Sequence, residues 1–180
     1  MQAHIDVHHH FEPTRRNVDG TPWSIAAAVA QLDGNGVATA IGYCGPIFDS
    51  GERGRSAART VNEWATQLGA DHPGRFGLFA SIPMLDVDGA LAEIAYALDV
   101  LGADGVGLAP HYEGAWLGDA RFWPIFEELN RRAAVVYVHP AKPACPAAAT
   151  LDDPNRLISA PWIEFPTDTA RTILSLWAAA

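Results

Sequence analysis

Lysine is nearly absent from this sequence. Lys142 is the only one, and with eleven arginines it faces twenty-one acidic residues, for a formal net charge of −9 at pH 7. There is no basic run, which argues against a nucleic-acid partner, because phosphate backbones are held by clustered positive charge. No apolar stretch approaches the roughly 20 residues of a membrane span. Cysteine is scarce as well: Cys44 and Cys145 make neither a framework nor a CxxC pair, which suits a reducing compartment. The opening Met1-Gln2-Ala3-His4-Ile5-Asp6 has no basic n-region and no apolar h-region, so no secretory leader is expected. A GxSxG elbow is missing, no phosphate-binding glycine loop follows the first strand, and Cys44 stands in a Tyr-Cys-Gly-Pro turn with no evident base. The expectation is an acidic cytoplasmic protein, whose 180 residues, 49% of them apolar, suffice for one domain spanning 1–180.

Apolar and β-branched runs alternate with helical patterns, the mark of a parallel α/β fold. Strands are predicted at 4–10, 37–43, 76–82, 104–109 and 134–139. Helices are predicted at 23–34, 57–71, 88–102, 120–132 and 166–178. Helix 88–102 is the clearest, with Leu91, Ile94, Ala95, Leu98 and Leu101 at helical spacing and Gly102 as its C-cap. Five βα units with right-handed crossovers curl towards a (β/α)₈ TIM barrel, which typically takes about 250 residues. The sequence is therefore read as the N-terminal five βα units of such a barrel. Segment 141–162, rich in proline at its start, reads as a long loop of the kind that usually carries function.

Strand 4–10 carries the strongest chemical signal. Alternation puts Asp6, His8 and His10 on one face, towards a barrel lumen, and Ile5, Val7 and His9 on the other, towards the helix layer. Imidazoles at i and i+2 can bind one metal ion, and a carboxylate two residues earlier can orient one of them, the role expected of Asp6. His9 faces away and is assigned to structure. His139 ends the fifth strand, where barrel active sites sit, and shares its face with Val135 and Tyr137. Imidazole ligands usually mean zinc, manganese or iron. His4 is expected at the surface and His72 in a turn. His111 follows the fourth strand and is placed to reach the barrel mouth, where it would touch substrate. Trp23, Phe48, Tyr112, Trp116 and Trp162 lie in loops or at helix starts, where aromatics either floor a pocket for a planar ligand or pack against the helix layer. Trp116 is taken with His111 as a substrate-binding candidate. Lys142 either neutralises a carboxylate or is solvated.

Asp6-Val7-His8-His9-His10-Phe11-Glu12-Pro13 resembles the DxHxHxxP signature of the amidohydrolase superfamily, in particular its branch of metal-dependent aminocarboxymuconate semialdehyde and aryl-acid decarboxylases. The likeness continues through Asn62-Glu63, Pro73-Gly74-Arg75-Phe76, Phe79-Ala80-Ser81-Ile82-Pro83, Gly105-Val106-Gly107-Leu108 and Trp116-Leu117-Gly118-Asp119. It ends with Val138-His139-Pro140 and Ile163-Glu164-Phe165-Pro166-Thr167-Asp168-Thr169-Ala170-Arg171. The resemblance implies that His8, His10 and His139 hold a divalent metal, zinc or alternatively manganese, in a (β/α)₈ barrel. It also implies a small aromatic carboxylate of the salicylate type as substrate, and a homodimer. The family's sixth-strand histidine and late proton-handling aspartate have no counterpart in this chain, so a fragment of a longer enzyme is expected. Three functions stay open: non-oxidative decarboxylation, metal-dependent hydrolysis of a lactone or amide, and a non-catalytic half-barrel.

Overall fold

The computed structural model describes residues 4–10, 22–141 and 160–179. In chain order these form β1 (His4–His9), α1 (Ile25–Gly34), β2 (Val37–Gly42), α2 (Gly51–Asp71), β3 (Phe76–Ser81), α3 (Val87–Asp99) and β4 (Gly105–Leu108). There follow β5 (His111–Tyr112), β6 (Ala115–Trp116), a 3₁₀ turn at Ala120–Phe122, α4 (Trp123–Arg131), β7 (Val136–Val138) and α5 (Ala160–Ala179). Five strands make one parallel sheet in the order β1-β2-β3-β4-β7, and β5 and β6 form a separate antiparallel hairpin. The order of the sheet is the order of the chain, as successive right-handed βα units require.

Local chemistry accounts for several boundaries. Ser24 caps α1 by accepting the Ala27 N–H at 3.2 Å. Asp86 caps α3 from the Gly89 N–H at 3.0 Å and also receives Arg55 at 2.6 and 3.1 Å. β4 alternates glycine with branched residues. Val106 and Leu108 are wholly buried, whereas a Cβ on Gly107 would lie 2.3 Å from the Tyr43 ring. The core between sheet and helices gathers Leu68, Ile82, Met84, Ile94, Ile125 and Leu129 around those two residues. Within it, Asn62 of α2 donates to Ser81 O at 2.9 Å and to Glu93 at 2.8 Å, and accepts the Ser81 N–H at 2.8 Å. Arg59 completes the pairing of buried Glu93 at 3.0 Å.

The sheet is curled. Four inter-strand steps of about 4.8 Å would hold β1 and β7 roughly 19 Å apart in a flat sheet. Yet His10, just past β1, and His139, just past β7, meet with their Nε2 atoms 2.9 Å apart. Only a sheet bent towards closure brings its two edges together.

The expected element order holds, with shifted bounds. α2 begins six residues earlier than predicted, at Gly51, because two glycines in Gly51-Glu52-Arg53-Gly54 disguise a helical turn. Gly54 is needed there, since a Cβ would lie 2.2 Å from the Asp49 carbonyl oxygen. The β5–β6 hairpin falls where a loop was expected; Glu113 and Gly114, at φ 48° and 78°, supply its two-residue turn. The expected loop over 141–162 gives way at its end to α5, which starts at Ala160 and contains Pro166. Lys142 and Cys145 lie outside the described residues, as does the Trp162 side chain. Ile5 and Val7, expected against a helix layer, are 63% and 53% exposed among the described residues. Trp23 packs against the core and meets Trp64 at 6.3 Å, so it joins the helix layer rather than a pocket floor. No helix among the described residues is long and apolar enough to cross a membrane.

Candidate metal centre

β1 pairs with β2 through a first register shift between His4 and Ile5, reaches Asp6 opposite Ala40, and resumes at His9, opposite Gly42. Between them the ladder slips, and the His8 N–H turns to Asp6 Oδ1 at 3.0 Å. The other carboxylate oxygen meets His9 Nδ1 at 3.0 Å. This corrects the expected role of Asp6. The bulge breaks strict alternation, so the carboxylate holds the His9 ring and the His8 main chain rather than the ring of His8 or His10. Burial pushes the Asp6 carboxyl up, but the His8 N–H and the His9 ring outweigh it and leave it below its ordinary value. His9 thus has the structural role expected of it.

His8, His10 and His139 converge. Each offers one ring nitrogen, and these atoms lie within 4.8 Å of one another. The rings pack edge to face, with centroids 5.3 Å apart for His8–His10, 5.0 Å for His8–His139 and 4.6 Å for His10–His139. His139 is placed by the end of β7, where its N–H donates to Leu108 O at 2.9 Å. His10 Nδ1 lies 3.3 Å from Tyr43 O, and His139 Nδ1 lies 2.6 Å from Pro140 O.

These contacts decide what the cluster can bind. Carbonyl oxygens only accept, so both Nδ1 atoms carry hydrogen, and in the neutral rings both Nε2 atoms are bare. Two lone pairs facing each other at 2.9 Å repel unless a proton or a metal ion lies between or beside them. A ring Nδ1–H on a main-chain carbonyl is also the usual outer support of a metal-bound histidine. The donor set fits a divalent ion.

Below the three rings lies an aromatic floor that sequence reading did not assign to the site. Tyr137 stacks on Phe79 at 5.1 Å and meets His8 edge-on at 5.8 Å. Tyr43 reaches both Tyr137 and His139, at 6.2 and 6.1 Å. Burial drives the Tyr43 phenol well above its ordinary pKa and raises that of Tyr137, aided there by the charge of Asp6. Period-two alternation from His139 pointed to Tyr137, but nothing in the sequence marks the Tyr43 carbonyl as the support of His10.

His111 and Trp116 stand together on the β5–β6 hairpin, their rings 5.3 Å apart. The hairpin leaves the end of β4, the strand whose last residue anchors the His139 main chain, so it shares that rim of the sheet. His111 is buried, and its Nε2 faces Asp168 of α5 at 3.7 Å. Tyr112 is buried beneath the hairpin, and Phe48 packs on it at 5.5 Å with half its own surface exposed.

An amidohydrolase family model matches residues 5–175. The chain belongs to the amidohydrolase family. Among its relatives, a decarboxylase of Penicillium terrestre is 36% identical over 96% of this chain and 57% of its own length. A 6-methylsalicylic acid decarboxylase of Aspergillus aculeatus is 37% identical over 96% of this chain and 56% of its own length. This amidohydrolase chain therefore spans somewhat more than half the length of these curated relatives. A crystal structure of a dihydroxybenzoic acid decarboxylase from Polaromonas sp. JS666, with bound manganese and the inhibitor 2-nitroresorcinol, superposes with a TM-score of 0.80 at 24% identity. That match covers 98% of this chain and 60% of the other. The curled sheet is thus part of the barrel of the amidohydrolase fold.

Proposed function

We propose that this chain carries the metal-binding part of a non-oxidative decarboxylase acting on an aromatic carboxylic acid of the salicylate type. The convergence of His8, His10 and His139 is the observation that carries the reading. Support also comes from relatives named decarboxylases that are 36–37% identical over nearly the whole chain. In this proposal the three imidazoles hold a divalent ion, zinc or manganese. When bound, such an ion supplies fixed positive charge that orients a carboxylate and a neighbouring ring oxygen. The chain's own residues do the rest of what can be derived. Tyr43 O and Pro140 O fix two rings with Nε2 inward, Asp6 fixes the bulge that presents His8, and Phe79, Tyr137 and Tyr43 close the lumen beneath the ring nitrogens. His111 and Trp116 are the substrate-facing groups of the rim, and the protein is cytoplasmic.

Loss of CO₂ leaves an electron pair on a ring carbon, which must be protonated. The three histidines hold the ion and are not free to deliver that proton. The test is CO₂ release from salicylate-type acids, run beside hydrolysis of lactones, with metal content measured for the wild type, His8→Ala and His139→Ala. Metal-dependent CO₂ release lost in both variants is the expected result. Lactone hydrolysis without CO₂ release moves the assignment to a hydrolase, and full metal content in both variants removes the site. Light scattering on the same samples reads whether the protein is a homodimer, as proposed.

A further inference from the structure

His111 and Asp168 come from distant parts of the chain and bury their polar atoms against each other. The Asp168 side chain is 1% exposed and that of His111 10%. His111 Nε2 and both carboxylate oxygens of Asp168 are buried without a hydrogen-bond partner among the described residues, and Nε2 stands 3.7 Å from Oδ2. A buried carboxylate left unpaired is strongly disfavoured, so the approach of an imidazole is the natural completion of this pair. α5 is tied to this region by a side-chain hydroxyl, by its main chain and by an apolar residue as well. Ser175 Oγ takes the Gly118 N–H at 3.2 Å, a Cβ on Gly118 would strike the Ser175 carbonyl, and Leu176 packs on the core. Those contacts seat the helix on the hairpin and aim Asp168 at His111. Burial raises the Asp168 carboxyl above its ordinary value and Glu164 adds to this, against the opposing pull of nearby His111 and Arg171.

We propose that Asp168 is a positioning residue: it takes the Nε2–H of His111 and so fixes the ring with Nδ1 as a bare acceptor on the hairpin that follows β4. A neutral imidazole holds one hydrogen, and the group that claims it decides which nitrogen accepts. The Nδ1 acceptor then selects ligands that bring a hydroxyl hydrogen, as a phenol does and its methyl ether does not. The ligand half of this inference rests on the decarboxylase reading; the tautomer half does not.

The two halves are measured separately on the full chain loaded with manganese or zinc. Long-range ¹⁵N–¹H NMR of the histidine rings, assigned with His111→Gln and run on the zinc form, reads the tautomer directly. An Nε2–H ring for His111 in the wild type, lost in the isosteric Asp168→Asn and restored in Asp168→Glu, is expected. An Nδ1–H ring in the wild type overturns the proposal. For the ligand half, binding of salicylate is compared with 2-methoxybenzoate. Loss of one neutral hydrogen bond corresponds to about a tenfold preference for the hydroxyl compound, reduced to near parity in Asp168→Asn. A preference unchanged by that substitution overturns the assignment of Asp168 as the residue that sets ligand choice. If neither acid binds while the Nε2–H tautomer is present, the decarboxylase reading fails and the pairing of His111 with Asp168 stands.

Discussion

Gly107 has no side chain, and the Tyr43 ring fills the space a side chain would take. A Cβ there would lie 2.3 Å from Tyr43 Cδ2, so Gly107→Ala must displace either that ring or β4. Overpacking of this kind costs about 1–3 kcal/mol. Its effect should reach the metal, because the Tyr43 main chain receives His10 Nδ1. Loss of such outer support weakens metal binding by roughly 10–100-fold. Titration calorimetry with manganese on Gly107→Ala and on Val106→Ala separates the two effects. Both variants lose stability, but only the first should lose affinity, since Val106 faces the helix layer. Equal affinities would detach Tyr43 from the site. At this scale the three histidines were legible, because i, i+2 spacing and a strand-end position are properties of residue type. The Tyr43 carbonyl was not, because any residue has one. Asp6 was misread because a β-bulge cancels the alternation that sequence spacing assumes.

Helices α2 and α3 are joined to β3 by a side chain, Asn62, whose role the sequence does not state. Asn62 satisfies both main-chain groups of Ser81 and one oxygen of Glu93, all of them buried. Asn62→Ala leaves those three groups unpaired, apart from the hold of Arg59 on Glu93, and should cost about 2–4 kcal/mol in urea unfolding. A cost below about 0.5 kcal/mol, the range of ordinary surface substitutions, would mean that water replaces the amide. Periodicity foretold the existence and order of α1 to α5 and the five parallel strands. It failed at α2, where glycine is required by the close approach of Asp49, and at the hairpin, where a positive φ at Glu113 completes a turn that an isolated Gly114 did not advertise. In both places the deciding contact is non-local or conformational, so composition could not carry it.

The curled sheet brings β1 and β7, its two edges, together through side chains rather than through a ladder of hydrogen bonds. His10 and His139 are 129 residues apart in sequence, so an ion held between them closes a very long loop, and closure entropy grows only slowly with such length. With neither a proton nor a metal ion between them, the two Nε2 atoms oppose that closure. Binding should therefore appear as global stability. At a free metal concentration of 100 times the dissociation constant, linkage gives about 2.7 kcal/mol. For a chain of this size each kcal/mol moves the melting temperature by about 2–4 °C, so the rise over chelator-stripped protein should be roughly 5–10 °C. Differential scanning calorimetry measures it. His139→Ala should abolish the rise, because the β7 edge then has no ligand to offer. His72→Ala should keep it, since His72 packs on Phe76 beyond α2, away from the rim. An equal rise in wild type and His139→Ala would place the ion elsewhere. The rim would then owe its curvature to the packing of Tyr43, Phe79 and Tyr137 alone, and the sheet would have no need of a cation to bring its edges together.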